Sequence, residues 1–112
     1  YHGVSGTKSG LERSRQDLRS VKNAAAADLA GAWSDFARSS AQARVQAALL
    51  EAARQRNEEA DIRYASGLLS YDNWEIISSD RISQERQALQ SKVNASVGEA
   101  GWERALGRGL GE

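Results

Sequence analysis

The chain contains no cysteine, no proline and no methionine in its 112 residues. Without cysteine there is no disulfide, no thiolate nucleophile and no thiolate metal ligand, and both periplasm and cytosol stay open as compartments. Without proline, helix breaking falls to glycine alone, and between Leu11 and Val97 the only glycines are Gly31 and Gly67. Aromatic residues make up only 6% of the chain, which argues against a compact mixed-sheet core and for long, thinly cored helices. No charge sign dominates, since 15 basic residues balance 15 acidic ones and both are dispersed. A nucleic-acid face and a charged solvating tail are therefore not expected. The longest apolar runs, Ala24 to Ala27 and Ala47 to Leu50, fall far below the roughly 20 residues of a membrane-crossing helix. No signal-peptide pattern opens the chain, and Tyr1 is read as the start of an excised or processed piece.

What is present is helical pattern around one interruption. Residues 1–10, with Gly3, Gly6 and Gly10 among Ser, Thr and Lys, carry no helical period and are expected to form a flexible leader. Ser9-Gly10-Leu11-Glu12 has the form of a capping box, which sets the expected start of helix 1 at Leu11. The pattern then runs to Ala65, a rod of about 80 Å at the helical rise. Leu29, Trp33, Phe36, Ser40, Ala43, Ala47 and Leu50 alternate in steps of three and four, the spacing of a coiled-coil seam. Val45, Leu49 and Ala52 form a second stripe off that seam, so helix 1 is expected to have neighbours on two sides.

The interruption is Arg63 to Trp74. Gly67 can adopt the left-handed conformation that ends a helix, and Ser70 can cap the next one. Helix 2 is expected over residues 71–106, with Asp72 and Glu75 favoured near its positive end and Ile82, Leu89, Val93 and Ala100 as its seam. Gly107 stands where a helix-ending glycine belongs, which leaves residues 108–112 as a tail. The fold class is all-α: a long antiparallel two-helix coiled-coil hairpin over residues 11–107, its tip at 66–70.

Reversal at the tip pairs positions whose numbers add to about 136. Ala47 then meets Leu89, Ala43 meets Val93, Phe36 meets Ala100 and Trp33 meets Trp102, while Trp74 is left near the tip for a neighbouring chain. Residues Leu11 to Asp28 extend past the end of helix 2, and the apolar side of Leu11, Leu18, Val21 and Ala24 to Ala27 calls for partners from elsewhere. Self-association through helix 1 is one expectation.

Chemistry is sparse. His2, the only histidine, has no acidic cluster beside it, and Glu58, Glu59 and Asp61 are read as surface ion-pair partners, with Arg54 one turn before Glu58. Gly107-Arg108-Gly109 lacks the strand and helix of a phosphate-cradling loop. No catalytic residue, metal ligand or cofactor site is assigned, and an enzyme is not expected.

Tyr64, Gly67, Leu68, Ser70 and Tyr71 at the turn, with Trp102, Ala105, Leu106 and Gly107 at the close, resemble the second repeat of TolC-like outer-membrane efflux proteins. The resemblance spans Ser9 to Leu110 and rests on the order of long helix, glycine turn, shorter helix and Ala-Leu-Gly ending. It implies a periplasmic hairpin of a trimeric outer-membrane duct in a Gram-negative bacterium. In such a duct a barrel absent from this chain crosses the membrane, and passive export is driven by an inner-membrane transporter reached through a periplasmic adaptor. The resemblance assigns Ser66, Gly67, Leu68, Leu69 and Ser70 to an adaptor-docking tip, and Asp72, Asn73 and Glu75 to a possible gate. Asn73 and Ile76 occupy places where the family's acids are looked for first. The alternatives are the helical hairpin of the adaptor itself and a coiled-coil scaffold with no part in transport.

Overall fold

The computed structural model describes residues 2–109 of the chain. They form two helices, α1 (His2–Ala65) and α2 (Tyr71–Gly109), paired as an extended antiparallel hairpin of 98 × 21 × 13 Å. Among the described residues there is no strand.

Both helices outrun the expected bounds. α1 starts at His2, so residues 2–10 of the expected leader are helical and Ser9 and Glu12 sit within the helix, where a capping box has no function. Each glycine costs about 1 kcal/mol against alanine, yet no proline blocks the backbone, and extending a formed helix is far easier than nucleating one. For the same reason α2 passes through Gly107 to Gly109, and Gly67 is the only glycine among the described residues with a positive φ. Tyr1 of the expected leader and residues 110–112 of the expected tail lie outside the described residues.

The seam follows a heptad rule on both helices. On α1 one heptad position is Leu29, Phe36, Ala43, Leu50 and Asn57, and the other is Ala32, Ser39, Gln46, Ala53 and Ala60; all ten are buried or half-buried. On α2 the same classes of burial fall on Trp74, Arg81, Ala88, Ala95 and Trp102, alternating with Ile77, Gln84, Ser91, Gly98 and Ala105. Alternating steps of three and four keep these positions facing one partner only if the helices wrap gently around one another.

The axial level of the pairing agrees with reversal at the tip. Arg56 reaches Asp80 at 3.3 Å, Asn57 Nδ2 donates to Ser78 Oγ at 3.1 Å, and the rings of Trp33 and Trp102 lie 5.1 Å apart. Rotation about the axes differs from the expected one. Ile82, Leu89, Val93 and Ala100 face solvent, Leu89 with 64% of its surface exposed, and the inward residues of α2 are their neighbours one position earlier or two. The expected facing pairs Ala47 with Leu89, Ala43 with Val93 and Phe36 with Ala100 are therefore not made across the seam. Trp33 meets Trp102 but keeps 52% of its surface exposed, so it flanks the seam and does not fill it.

Small and polar residues explain the rotation. Gly98 packs so closely that a Cβ there would stand 3.2 Å from the Phe36 Cα. Asn57, only 7% exposed, links Ser78 to Arg81, whose Nε donates to the Asn57 Oδ1. Arg81 also donates to Glu85 at 2.8 Å. A buried asparagine of this kind fixes register at some cost in stability. Arg54 lies 3.9 Å from Glu85 across the pair and not on Glu58, the partner expected for it. Such half-exposed ion pairs contribute about 0–1 kcal/mol each.

Residues 8–28 of α1 are exposed throughout, because α2 ends level with Leu29, whose Cδ1 would lie 3.3 Å from a Cβ on Gly109. The overhang expected from the register is present and, because α1 begins at His2, it measures about 40 Å at the helical rise.

Candidate functional site

The apex is built from two hydrogen-bonded caps. At the end of α1 the Leu68 amide donates to the Arg63 carbonyl at 2.8 Å and the Gly67 amide to the Tyr64 carbonyl at 3.1 Å. Together these two bonds make a Schellman motif, which satisfies carbonyls the helix would otherwise leave open. It requires a left-handed residue, and Gly67 has φ +76°. Ser70 opens α2 as expected: its Oγ accepts from the Asn73 amide at 3.3 Å and its carbonyl from the Trp74 amide at 3.0 Å. Between the caps only Leu68 and Leu69 are free to vary in direction.

They take opposite ones. Leu68 projects with 79% of its surface exposed. Leu69 is half-buried and borders a small hollow with Ala60 and Ile77. Ser66 Oγ donates to the Ile62 carbonyl at 2.9 Å, so its hydroxyl is engaged in ending α1. Of the five tip residues named from the sequence, Leu68 supplies the apolar projection, and the other four shape the turn that presents it.

An aromatic cluster braces this turn from one side. Tyr64 stacks on Trp74 with centroids 5.3 Å apart and an interplanar angle of 23°, and Tyr71 lies 5.9 Å from Trp74 and 6.1 Å from Tyr64. Trp74 Nε1 donates to Asp61 Oδ1 at 2.7 Å, which ties the start of α2 to the last turns of α1. The indole thus finds cover inside the hairpin, where the sequence had left it for a neighbouring chain. Tyr64 and Tyr71 remain exposed and extend the apolar surface around Leu68. The spacing of Tyr64, Tyr71 and Trp74 around one turn could have been read as a cluster, since a reversal at Gly67 brings all three to the same level.

No family model, curated protein or solved structure matches the chain. The functional reading therefore rests on its own residues.

Asp72, Asn73 and Glu75 are exposed on the first turns of α2, with Asp72 in the first turn, where a carboxylate favours the helix dipole. The Asn73 backbone is committed to the Ser70 cap. Within one chain these side chains do not converge on a partner. Among the described residues, no group of three or more His, Cys, Asp or Glu side chains is arranged to hold a metal ion. Among the described residues, no helix is long and apolar enough to cross a membrane.

Proposed function

We propose that the chain is a periplasmic tunnel segment of a trimeric outer-membrane efflux duct, docking at its apex with a periplasmic adaptor. The observation that carries this reading is the unequal hairpin: α1 runs about 40 Å beyond α2, and its far end is a narrow capped turn presenting Leu68. A strut that spans from barrel to tunnel tip needs a long arm, and a docking tip needs an apex whose backbone can be approached closely.

Apolar stripes off the seam support lateral packing in a wall of hairpins. Ile82, Leu89 and Val93 on α2 and Val45 and Leu49 on α1 are all exposed in the single chain. The apex acids Asp72 and Glu75, with Asn73, would come together only around the threefold axis of the parent protein, and that is the arrangement a gate requires. The substrate is not specified by any residue of the hairpin; selectivity in this reading belongs to the inner-membrane transporter.

The test uses the full-length parent. Because the chain has no cysteine, Leu68→Cys introduces a single thiol at the apex. It should cross-link to the adaptor in intact cells, and Gly67→Trp should abolish both that cross-link and export while leaving the trimer assembled. Export unchanged by Gly67→Trp would refute the docking role. A parent lacking a second hairpin and barrel strands would remove the duct reading in favour of an adaptor hairpin or a scaffold.

A further inference from the structure

The seam of α1 does not stop where α2 stops. Counting back by sevens from Ala32 gives Ala25, Leu18 and Leu11, and from Leu29 gives Lys22, Arg15 and Lys8, all six exposed. The overhang therefore continues the α1–α2 interface in unbroken phase, but one of its two heptad positions turns from apolar to basic. On the flanks, Glu12 is balanced by Arg19 seven residues later and Asp28 adds one more acid, so the face stays basic with four cations, Lys8, Arg15, Arg19 and Lys22, against two carboxylates.

This charge pattern selects the occupant. In a self-pairing of two overhangs, parallel alignment sets each basic residue level with its own copy. Antiparallel alignment with the layering of the hairpin itself, one heptad position against the other, sets Lys8 level with Ala25, Arg15 with Leu18 and Lys22 with Leu11. Parallel pairing therefore stacks three like charges, and antiparallel pairing sets each leucine against a cation and joins no opposite charges at the seam, so neither favours a second copy on this face. A helix carrying carboxylates at those levels would face three opposite charges and cover Leu11 and Leu18 at the same time.

We propose that the overhang of α1 between Lys8 and Asp28 is the docking site of an acidic amphipathic helix from a partner other than a second copy of this chain. That helix would be about three heptads long, matching the roughly 30 Å of free seam between Lys8 and Asp28. Its apolar heptad position packs on Leu11, Leu18 and Ala25, and its Glu or Asp position pairs with Lys8, Arg15 and Lys22. The inference rests on heptad phase and charge and stands independently of the duct reading.

The test uses the 112-residue chain and two synthetic three-heptad peptides, one with Leu and Glu at the seam positions and one with Leu and Lys, followed by fluorescence anisotropy. The Glu peptide is expected to bind about tenfold or more tightly than the Lys peptide at low salt, with the difference shrinking at high salt. Lys8→Glu/Arg15→Glu/Lys22→Glu should reverse the preference, and Leu18→Asp should abolish binding of both. All four positions are exposed, so circular dichroism should show an unchanged hairpin in every variant. Equal affinity for the two peptides, or binding of neither, overturns the proposal. So does a dimer of the chain that sediments as a monomer after Leu18→Asp, because the occupant would then be a second copy.

Discussion

Gly98 and Gly101 lie one turn apart on α2 and offer an internal comparison of what the helix pair touches. Both are interior helical glycines, so replacing either with alanine gains about 1 kcal/mol in helix propensity. Nothing lies within 4 Å of a Cβ added at Gly101, and that gain should appear undiminished. At Gly98 the added Cβ would stand 2.6 Å from Ser39 Oγ and 3.2 Å from the Phe36 Cα. Ser39 can rotate away, but its Oγ donates to the Phe36 carbonyl at 3.1 Å, and losing that bond costs about 1 kcal/mol. The Phe36 backbone cannot rotate away, so the helices must part by a few tenths of an ångström. Overpacking of this sort costs about 1–3 kcal/mol. Gly98→Ala should therefore destabilise by about 1 kcal/mol or more and Gly101→Ala should stabilise by about 1 kcal/mol, a separation of about 2 kcal/mol.

Urea denaturation followed by far-ultraviolet circular dichroism, at one protein concentration for all variants, measures that separation. Adding Ser39→Ala to Gly98→Ala removes the nearer of the two contacts and should restore part of the loss. If Gly98→Ala stabilised the chain as much as Gly101→Ala does, the helices would not meet at Phe36, and the rotation of α2 described above would be wrong.

Other expectations follow from single contacts. Gly67→Ala forces a side chain into the left-handed region and should cost about 1–2 kcal/mol in the same denaturation assay, with helix content retained. Trp33→Ala removes the Trp102 contact and a half-exposed indole, and a loss of about 1 kcal/mol is expected, together with a changed Trp102 emission spectrum. Asn57→Leu should keep or raise the unfolding midpoint while broadening the amide spectrum by nuclear magnetic resonance, because the bonds to Ser78 and Arg81 that specify one register are gone. If the isolated chain associates, Leu89→Asp/Val93→Asp should disperse it in a sedimentation experiment and Leu18→Asp should not.

The axial arrangement was legible because it depends on two punctuating residues. Gly31 and Gly67 both have a serine three residues later, but the three-and-four seam from Leu29 to Leu50 runs unbroken past Gly31, so only Gly67 with Ser70 marks a reversal, and the level of every cross-pair follows from it. The azimuth was not legible, because α2 carries two stripes one residue apart. Hydropathy prefers Ile82, Leu89, Val93 and Ala100, and the pair buries Arg81, Ala88, Ser91 and Gly98 in their neighbourhood instead. What decides between them is non-local: the Asn57 bonds to Ser78 and Arg81, the Trp74 bond to Asp61, and the close approach at Gly98. None of these shows as periodicity in one helix. The amino end was misjudged for a different reason, since three glycines in ten residues lower helix propensity without supplying a stop. At the apex, the caps at Gly67 and Ser70 were readable from residue type, while the split between an exposed Leu68 and a half-buried Leu69 needed the hollow beside Ala60 and Ile77.

The rotation also bears on what the hairpin is for. Fully burying a leucine, isoleucine or valine is worth about 1.5–3 kcal/mol, so a pair of helices that had only each other to pack on would gain by turning Leu89 and Val93 inward. Here the middle of the inward face of α2, Arg81, Gln84, Ala88, Ser91, Ala95 and Gly98, is given to small and polar residues, which bring the backbones close but hold them weakly, while Ile82, Leu89 and Val93 on α2 and Val45 and Leu49 on α1 face outward. The hairpin thus spends its specificity on its own pairing and keeps its apolar surface for contacts beyond it. The overhang repeats this division along its length, with Leu11 and Leu18 on one heptad position and basic residues on the other. An acidic helix at the overhang and lateral neighbours along the outer stripes would use different residues, so both can be occupied in one assembly, and a substitution in one should leave the other intact.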